Sequence, residues 1–266
     1  MYLLDIHDLS AAQIRAIWAL VQKPRAKVAG RVAWSFEGDG VRTRTGFLQA
    51  VEQLGLAGVE LPNLLKTAER ARDLAGYLDS FYSAYVVRES NHERLREFAE
   101  ASSRPVINAM SSQAHPCEVL ADAYFIDSEI GPIEQVKIAL WGPPTNVLQS
   151  WHQLAGVMGI ELLHFCGPEF HVRKPGVRFL SSVSEAVDIV VTDSWPVGFS
   201  DEAWSLTAEH LAQLGQPELM PTPPFHIGRE VGFDPVNYEG FVGYAQKHGL
   251  LDVQRALLTY MLTVVR

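Results

Sequence analysis

The sequence predicts an α/β protein built from two doubly wound parallel-sheet domains. Two observations indicate this class: short strand-like apolar runs alternate with helical patterns along the chain, and Gly131-Pro132 breaks the alternation near its middle. The length of 266 residues suits two domains. In such folds the strands are parallel and ligands bind at their carboxyl ends. We therefore predict a first domain over residues 1–128, a second over 129–249, and a C-terminal helix, 250–266, that packs back on the first.

The first half begins with a helix and continues as strands followed by helices. Ser10 caps the initial helix, because it precedes apolar residues at three- and four-residue spacing. Gly55 ends a later helix. The predicted strands are 28–34, 58–61, 83–87 and 105–109, and the predicted helices are 10–21, 45–54, 65–77, 92–101 and 116–126.

The second half repeats the pattern and contains the most β-branched strand, Ile189-Val-Val-Thr192. A Pro-rich segment, 220–224, precedes the last helix. The predicted strands are 136–141, 161–166, 177–180 and 189–192, and the predicted helical segments are 146–158, 184–187, 207–214 and 250–265.

Composition restricts the partners. The net charge of −9 provides no overall attraction for nucleic acid or for an anionic membrane, so a local arginine cluster would have to hold an anionic substrate. No apolar run approaches the roughly 20 residues of a membrane-spanning helix. Cys117 and Cys166 form neither a disulfide framework nor a metal-ligand spacing. We predict a cytoplasmic protein that needs no metal and no cofactor.

The segment Gly40-Val-Arg-Thr-Arg44 lies between a strand and a helix. A glycine turn at a helix start offers backbone N–H groups to an anion, and Arg42 and Arg44 can add guanidinium donors. The alternative is a pair of ordinary solvated charges in a first helical turn. The other polar segments that follow strands are Arg88-Glu-Ser-Asn-His92, His115-Pro-Cys-Glu118 and Thr192-Asp-Ser-Trp195.

In this order and spacing, and with Pro105-Val-Ile-Asn-Ala109 before the third segment, the chain resembles the aspartate/ornithine carbamoyltransferase family. The resemblance implies a carbamoyl-phosphate domain (1–128) and an amino-acid domain (129–249) joined by interdomain helices, in a homotrimer. It also implies transfer of a carbamoyl group from carbamoyl phosphate, or a related anionic donor, to an amine or amino-acid acceptor. Asp193-Ser-Trp195 is similar to the ornithine-type branch.

Site residues follow from the same resemblance. Arg42 and Thr43 would hold phosphate, Arg88 would contact phosphate and carbonyl, and His115 would donate to the carbonyl oxygen. Asp193 would hold the acceptor's amino group, and Asn146 would belong to the acceptor site. Three of these residues have structural alternatives: His115 as a helix cap, Asn146 as an N-cap and Asp193 as a loop cap.

The chain departs from the family pattern at several site positions. Gly40 and Val41 stand where the family has Ser and Thr, Glu118 replaces a glutamine, and Thr222 replaces the cysteine that meets the carbamoyl group. Leu250 replaces a late arginine, Pro196-Val-Gly-Phe199 replaces the loop that holds the acceptor carboxylate, and the chain is shortened after Leu61. We expect a carbamoyltransferase-like enzyme that acts on an amine other than ornithine. A non-catalytic homologue, or an enzyme with another donor, stays open as the alternative.

Overall fold

The computed structural model describes residues 1–24, 27–38 and 40–263, which form two compact units. One unit contains Met1–Tyr124 with the C-terminal segment from His248, and the other contains Phe125–Lys247. Each unit holds a five-stranded sheet whose paired strands are all parallel, which confirms the predicted α/β class. The binding roles predicted for the two domains stay predictions.

The sheet of the first unit has the order β1-β5-β4-β2-β3. Its strands are β1 (Tyr2–Leu3), β2 (Arg31–Phe36), β3 (Ala57–Glu60), β4 (Ala84–Arg88) and β5 (Val106–Met110). The helices that follow them along the chain are α1 (Ala11–Val21), α2 (Val41–Leu54), α3 (Ala71–Leu78), α4 (His92–Ala101) and α5 (Pro116–Phe125). In the core of this unit, Tyr85 of β4 meets Phe98 of α4 edge to face, with ring centroids 5.0 Å apart.

The sheet of the second unit has the order β10-β9-β6-β7-β8. Its strands are β6 (Ile138–Trp141), β7 (Leu162–Phe165), β8 (Val177–Leu180), β9 (Ile189–Thr192) and β10 (Glu218–Pro221), and its helices are α6 (Asn146–Met158) and α7 (Ala208–Gln213). Helix α8 (Gly243–Thr263) begins in this unit and ends in the first. The ring of Trp141 stacks on that of Phe165 in the core.

The structure corrects several predicted elements. The helix predicted over 65–77 begins only at Ala71, because the Arg94 guanidinium donates to the carbonyl groups of Leu65, Thr67 and Glu69 and so occupies acceptors that a helix would use. Residues 184–187 form no helical turn. The Pro-rich segment contributes a strand, β10, which pairs with β9. Helix α8 begins seven residues before 250, and the predicted residues 264–266 lie outside the described residues.

Other bounds agree with the sequence more closely. Ser10 caps α1, and its hydroxyl oxygen accepts a hydrogen bond from the Gln13 N–H. Gly55 ends α2. That helix, however, starts at Val41 rather than at residue 45, so Arg42 and Arg44 lie in its first turn. Among the described helices, none is both long enough and apolar enough to cross a membrane.

A buried histidine pair lies under the sheet of the second unit. His152 of α6 and His164 of β7 are joined by a 2.8 Å hydrogen bond between Nε2 and Nδ1. His164 Nε2 lies 2.8 Å from the Gly142 carbonyl oxygen and must donate to it, so its Nδ1 accepts from His152. Burial lowers the pKa of His152 to about 2 and that of His164 to about 4. Both imidazoles are therefore neutral in the folded protein.

This pair makes the free energy of unfolding sensitive to mild acid. The unfolded chain binds protons on both histidines below pH ~6.5 and the folded chain does not, so stability falls as the pH is lowered. Between pH 7 and 5 we expect the pair to lower the free energy of unfolding by about 4 kcal/mol, or about 2 kcal/mol for each histidine. His152→Gln keeps a donor toward His164 but cannot titrate, so it should lower this pH-dependent loss by about 2 kcal/mol.

Urea unfolding of the wild type and of His152→Gln at the two pH values measures this difference. His248→Gln, which replaces an exposed histidine, is the matched control and should leave the loss as in the wild type. An equal loss in the wild type and in His152→Gln would contradict the prediction.

Candidate functional site

Three segments meet at the carboxyl edge of the first sheet. The Glu37 N–H after β2 donates to the Arg88 carbonyl at the end of β4, at 2.9 Å. The Ser112 N–H after β5 donates to the Ser90 carbonyl after β4, at 3.2 Å. Because β2 and β5 both pair with β4, these bonds join the segments that carry the predicted phosphate and carbonyl ligands. We call Arg42, Thr43, Arg88, His115 and Glu118 the first cluster.

Gly40 sets the start of α2. Its backbone is left-handed, with φ +46° and ψ 32°, and its carbonyl accepts the Arg44 N–H at 2.9 Å. A Cβ atom at this position would lie 3.1 Å from a ring carbon of Phe36 and 3.3 Å from Arg88 Cδ. The position where the resembled family has serine therefore requires glycine in this fold, because an L side chain would meet both backbone strain and close contacts.

Arg42 and Arg88 bring two positive charges together. Arg42 is exposed in the first turn of α2, and Arg88 is half-buried at the last position of β4. Burial lowers the pKa of both guanidinium groups, and the charge of Arg42 lowers that of Arg88 further, while Glu37 opposes the shift. Among the described residues, no carboxylate lies within 4.0 Å of the Arg88 guanidinium. Two cations held this closely suit an anionic ligand.

Arg44 and Thr43, which are close to Arg42 in the same helical turn, contact other parts of the first unit. Arg44 forms a 2.6 Å ion pair with Glu60, and its guanidinium lies over the ring of Phe36. Thr43 is buried beneath α8, and its carbonyl lies 3.5 Å from Gln254 Nε2. The phosphate role of Thr43 stays a prediction.

Lys66 is a charged residue of this edge that the sequence did not indicate. Its Nζ lies 2.6 Å from Glu89 Oε1 and 3.2 Å from Glu37 Oε1. The pKa of Glu37 is lowered to about 2, mainly by the Ser90 N–H and hydroxyl and also by Lys66. Glu89 and Glu37 each lie more than 20 residues from Lys66 in the chain, so no local sequence pattern indicates these two ion pairs. Lys66 thus pairs with two carboxylates, Glu37 and Glu89, on the segments that flank Arg88.

His115 and Glu118 lie side by side at the start of α5. Both are buried, and His115 Nε2 is 3.9 Å from Glu118 Oε2. Asn108 shapes the turn before them, because its Nδ2 donates to the Leu4 carbonyl at 2.8 Å and its Oδ1 accepts the Met110 N–H at 3.0 Å. The first cluster thus combines an imidazole donor with a carboxylate. Cys117 is buried, and burial raises the pKa of its thiol, as expected for an inert side chain.

Asp193 follows β9 at the carboxyl edge of the second sheet. Thr222 follows β10, and its N–H donates a 2.7 Å hydrogen bond to the carbonyl of Thr192, the residue before Asp193. Because β9 and β10 are paired, Asp193 and Thr222 lie at the same edge of the sheet. Burial is the main reason that the pKa of Asp193 is raised to about 6. Hydrogen bonds from Thr145 and Ser194 lower this pKa, and the negative charge of Glu230 raises it. The carboxyl group therefore takes up a proton as the pH falls through about 6.

Asn146 lies at the same edge, but it is not the N-cap of α6. Thr145 caps the helix, and its hydroxyl oxygen accepts the Leu148 N–H at 3.2 Å. Asn146 is the first helical residue, and its Oδ1 accepts the Val147 N–H at 2.9 Å. We call Asn146, Asp193 and Thr222 the second cluster. Thr222 is buried, and within the described part of the chain its hydroxyl has no hydrogen-bond partner.

Two further charged residues adjoin the second cluster and were missed in the sequence. Glu230 is fully buried and accepts the backbone N–H groups of Trp195 at 2.7 Å and of His226 at 2.8 Å. Arg229 is half-buried, with Nη2 3.5 Å from the Phe199 carbonyl oxygen. The contacts of Glu230 with Trp195 and of Arg229 with Phe199 span 30 residues or more, beyond the reach of a local motif.

The donor set does not suit a metal. Across residues 1–24, 27–38 and 40–263, no group of three or more His, Cys, Asp or Glu side chains is arranged to hold a metal ion. What the described side chains offer is a pair of guanidinium groups with an imidazole in one unit, and a buried carboxyl group of raised pKa in the other. These groups can bind an anion and a cationic or neutral amine, respectively.

Comparisons with known proteins find similarity along nearly the whole chain. Residues 2–128 match the family model of the carbamoyl-P binding domain of aspartate/ornithine carbamoyltransferase. An ornithine carbamoyltransferase of Rhizobium johnstonii is 29% identical over 303 aligned residues that cover 99% of each chain. One of Rhodopseudomonas palustris is 28% identical and covers 97% of this chain and 96% of the relative.

Solved structures agree with the fold. The crystal structure of ornithine carbamoyltransferase from Burkholderia thailandensis superposes with a TM-score of 0.88 at 24% identity and covers 98% of both chains. The enzyme from Pyrococcus furiosus superposes with a TM-score of 0.87 at 23% identity and covers 99% of this chain and 97% of the other.

Proposed function

Since the chain belongs to the aspartate/ornithine carbamoyltransferase family, we propose that it transfers a carbamoyl group from carbamoyl phosphate to the amino group of an amino acid or a related amine. In this reaction the amine nitrogen forms a bond to the carbamoyl carbon, the bond from that carbon to the phosphate oxygen breaks, and phosphate leaves with the proton of the amine. A homotrimer, as the family resemblance implies, is part of the proposal.

The first cluster would bind the donor. Arg42 and Thr43, in the first turn of α2, would hold the phosphate, and Arg88 would contact both the phosphate and the carbonyl oxygen. His115 would donate a hydrogen bond to that oxygen, where negative charge develops as the amine adds. Glu118 stands beside His115 and would face the carbamoyl amide group. The observation that carries the proposal is the pair of guanidinium groups at Arg42 and Arg88, whose mutual repulsion an anion would relieve.

The second cluster would bind the acceptor. Asp193 would hold the amino group, because a carboxylate near its pKa can accept a hydrogen bond from an ammonium and take up its proton. Asn146 and Thr222 would contact the acceptor and the carbamoyl group, respectively. The half-buried guanidinium of Arg229 supports an acceptor that carries a carboxylate, since Arg229 contacts the segment that replaces the family's carboxylate loop.

Calorimetric titration of carbamoyl phosphate, with inorganic phosphate for comparison, tests the donor site. We expect saturable binding in the wild type and a loss of roughly 10- to 100-fold in affinity in Arg42→Ala, because one charge-assisted contact contributes roughly 1.5–3 kcal/mol. Arg44→Ala removes a cation from the same helical turn that already pairs with Glu60, so its affinity should stay within roughly threefold of the wild type.

The outcome distinguishes the proposal from the alternatives. A folded wild type that does not bind carbamoyl phosphate would contradict the donor assignment and favour another donor or a non-catalytic homologue. If carbamoyl phosphate binds, a panel of amino acids and their decarboxylated amines identifies the acceptor by its ureido product. Donor binding with no product from any amine would leave the non-catalytic homologue as the better description.

A further inference from the structure

Glu230 joins three separate segments of the second unit. Its Oε1 accepts the Trp195 N–H at 2.7 Å, and its Oε2 accepts the His226 N–H at 2.8 Å. Its own backbone carbonyl accepts the Leu206 N–H at 3.0 Å. The side chain has 0% exposure, so water does not compete for these bonds. One carboxylate therefore fixes the segment after Asp193 against the segment after Thr222.

The carboxylate of Glu230 is ionised in this setting. Burial alone would raise its pKa, but the N–H groups of Trp195 and His226 outweigh burial and the pKa is lowered. The imidazole Nδ1 of His226 lies 3.4 Å from Oε2, and that side chain is half exposed. The other charged groups nearby are Asp193 and the guanidinium of Arg229. Glu230 is thus a permanent negative charge near neutral pH.

We propose that Glu230 is a positioning residue of the acceptor site, which fixes the backbone that follows Asp193 and adds a negative charge beside the Asp193 carboxyl group. The catalytic part of this inference, the role of Glu230 in an acceptor site, rests on the proposed function. The backbone contact is direct, because Trp195 is two residues from Asp193 and its N–H points at Glu230. A shift of this segment would turn Asp193 away from the edge that it shares with Thr222 and Asn146.

The charge of Glu230 also acts on the proton of Asp193. Burial is the main reason that the pKa of Asp193 is raised to about 6, and the negative charge of Glu230 adds to it, while Thr145 and Ser194 oppose it. A more basic Asp193 holds a cationic amine more strongly and takes its proton more readily. The pair of carboxyl groups therefore suits an acceptor that arrives as an ammonium ion and must lose a proton before it attacks.

Two variants separate the effect of the negative charge of Glu230 from the effect of its side-chain length. Glu230→Gln keeps the length of the side chain and removes the charge, whereas Glu230→Asp keeps the charge and is one methylene shorter, so it cannot reach both N–H groups. Glu239→Gln, which removes an exposed carboxylate further along the same segment, is the matched control. Near-ultraviolet circular dichroism reports whether each variant keeps the wild-type packing of its aromatic side chains.

Carbon-13 NMR of aspartate carboxyl groups measures the titration of Asp193 directly, with Asp193→Asn to assign the resonance. We expect the wild-type group to titrate near pH 6, Glu230→Gln to lower this pKa, and Glu230→Asp to leave it nearly unchanged. Both variants should lower kcat with the preferred acceptor by roughly 10- to 100-fold, since each loses backbone positioning. The control should leave both readouts as in the wild type.

The NMR titration needs no turnover, so it tests the inference even if no amine is carbamoylated. An Asp193 that titrates near pH 4 in the wild type would overturn the electrostatic part without any variant. A folded Glu230→Gln protein with an unchanged Asp193 titration and unchanged kcat would reduce Glu230 to a structural residue. Absence of transfer from any amine in the wild type, with the expected NMR shift, would count against the proposed function alone.

Discussion

Replacing Arg88 by methionine is expected to lower kcat/KM for carbamoyl phosphate by roughly 1,000-fold. Methionine keeps much of the side-chain volume at the end of β4 but removes the guanidinium that would contact both the phosphate and the carbonyl oxygen. Loss of one donor to a developing oxyanion costs roughly 100- to 1,000-fold in kcat, and the lost phosphate contact weakens donor binding further. Steady-state formation of the ureido product measures the effect.

The surroundings of Arg88 make this test specific. Within residues 1–24, 27–38 and 40–263 no carboxylate lies inside 4.0 Å of its guanidinium, so the substitution breaks no ion pair among these residues. Arg31→Met is the matched control, because Arg31 lies exposed at the first position of β2, at the opposite edge of the same sheet. Activity of Arg88→Met within threefold of the wild type would contradict the assignment of Arg88 to the donor.

Replacing Asp193 by asparagine is expected to lower kcat/KM for the acceptor by roughly 100- to 10,000-fold, the range for removal of a proton-accepting group. The pH profile should change with it. In the wild type the carboxylate form of Asp193 is lost as the pH falls through about 6, so kcat/KM should fall on that side. The variant has no such group and should lack this acidic decline.

Measurement of kcat/KM for the acceptor from pH 5 to 8 resolves both effects. Asp188→Asn is the comparison, because Asp188 lies just before the other end of β9 and its Oδ2 accepts the Lys137 N–H there. An acidic decline that persists unchanged in Asp193→Asn would assign it to another group and contradict the proton-accepting role.

Residues that follow strands could be predicted, because the carboxyl ends of parallel strands share one edge of a sheet. Arg88 is the last residue of β4 and Asp193 is the first residue after β9, so each lies at the carboxyl edge of its own sheet. Lys66 and Glu230 could not be predicted, since each depends on a partner that is distant in the chain, Glu89 for Lys66 and Trp195 for Glu230. Their contacts depend on how loops fold over the edge, and the hydrophobic pattern does not encode this.

The sequence predicted the start of α3 wrongly and did not indicate the strand β10, and both differences have the same physical origin. The start of α3 depends on the guanidinium of Arg94, which lies 25 or more residues further along the chain and binds carbonyl groups of residues 65–69. β10 ends in proline, a residue that argues against a strand, yet it lies at the edge of its sheet, where a missing N–H is tolerated. Tertiary contacts decided both cases against local preference.

The left-handed backbone at Gly40 has a consequence for engineering of the donor site. A side chain there would cost roughly 1–2 kcal/mol in backbone strain, and its Cβ would lie in tight contact with Phe36 and Arg88. Gly40→Ser would therefore lower the stability of the protein before its hydroxyl could serve a phosphate. A hydroxyl is better introduced by Val41→Thr, because Val41 is exposed and has helical backbone at the start of α2.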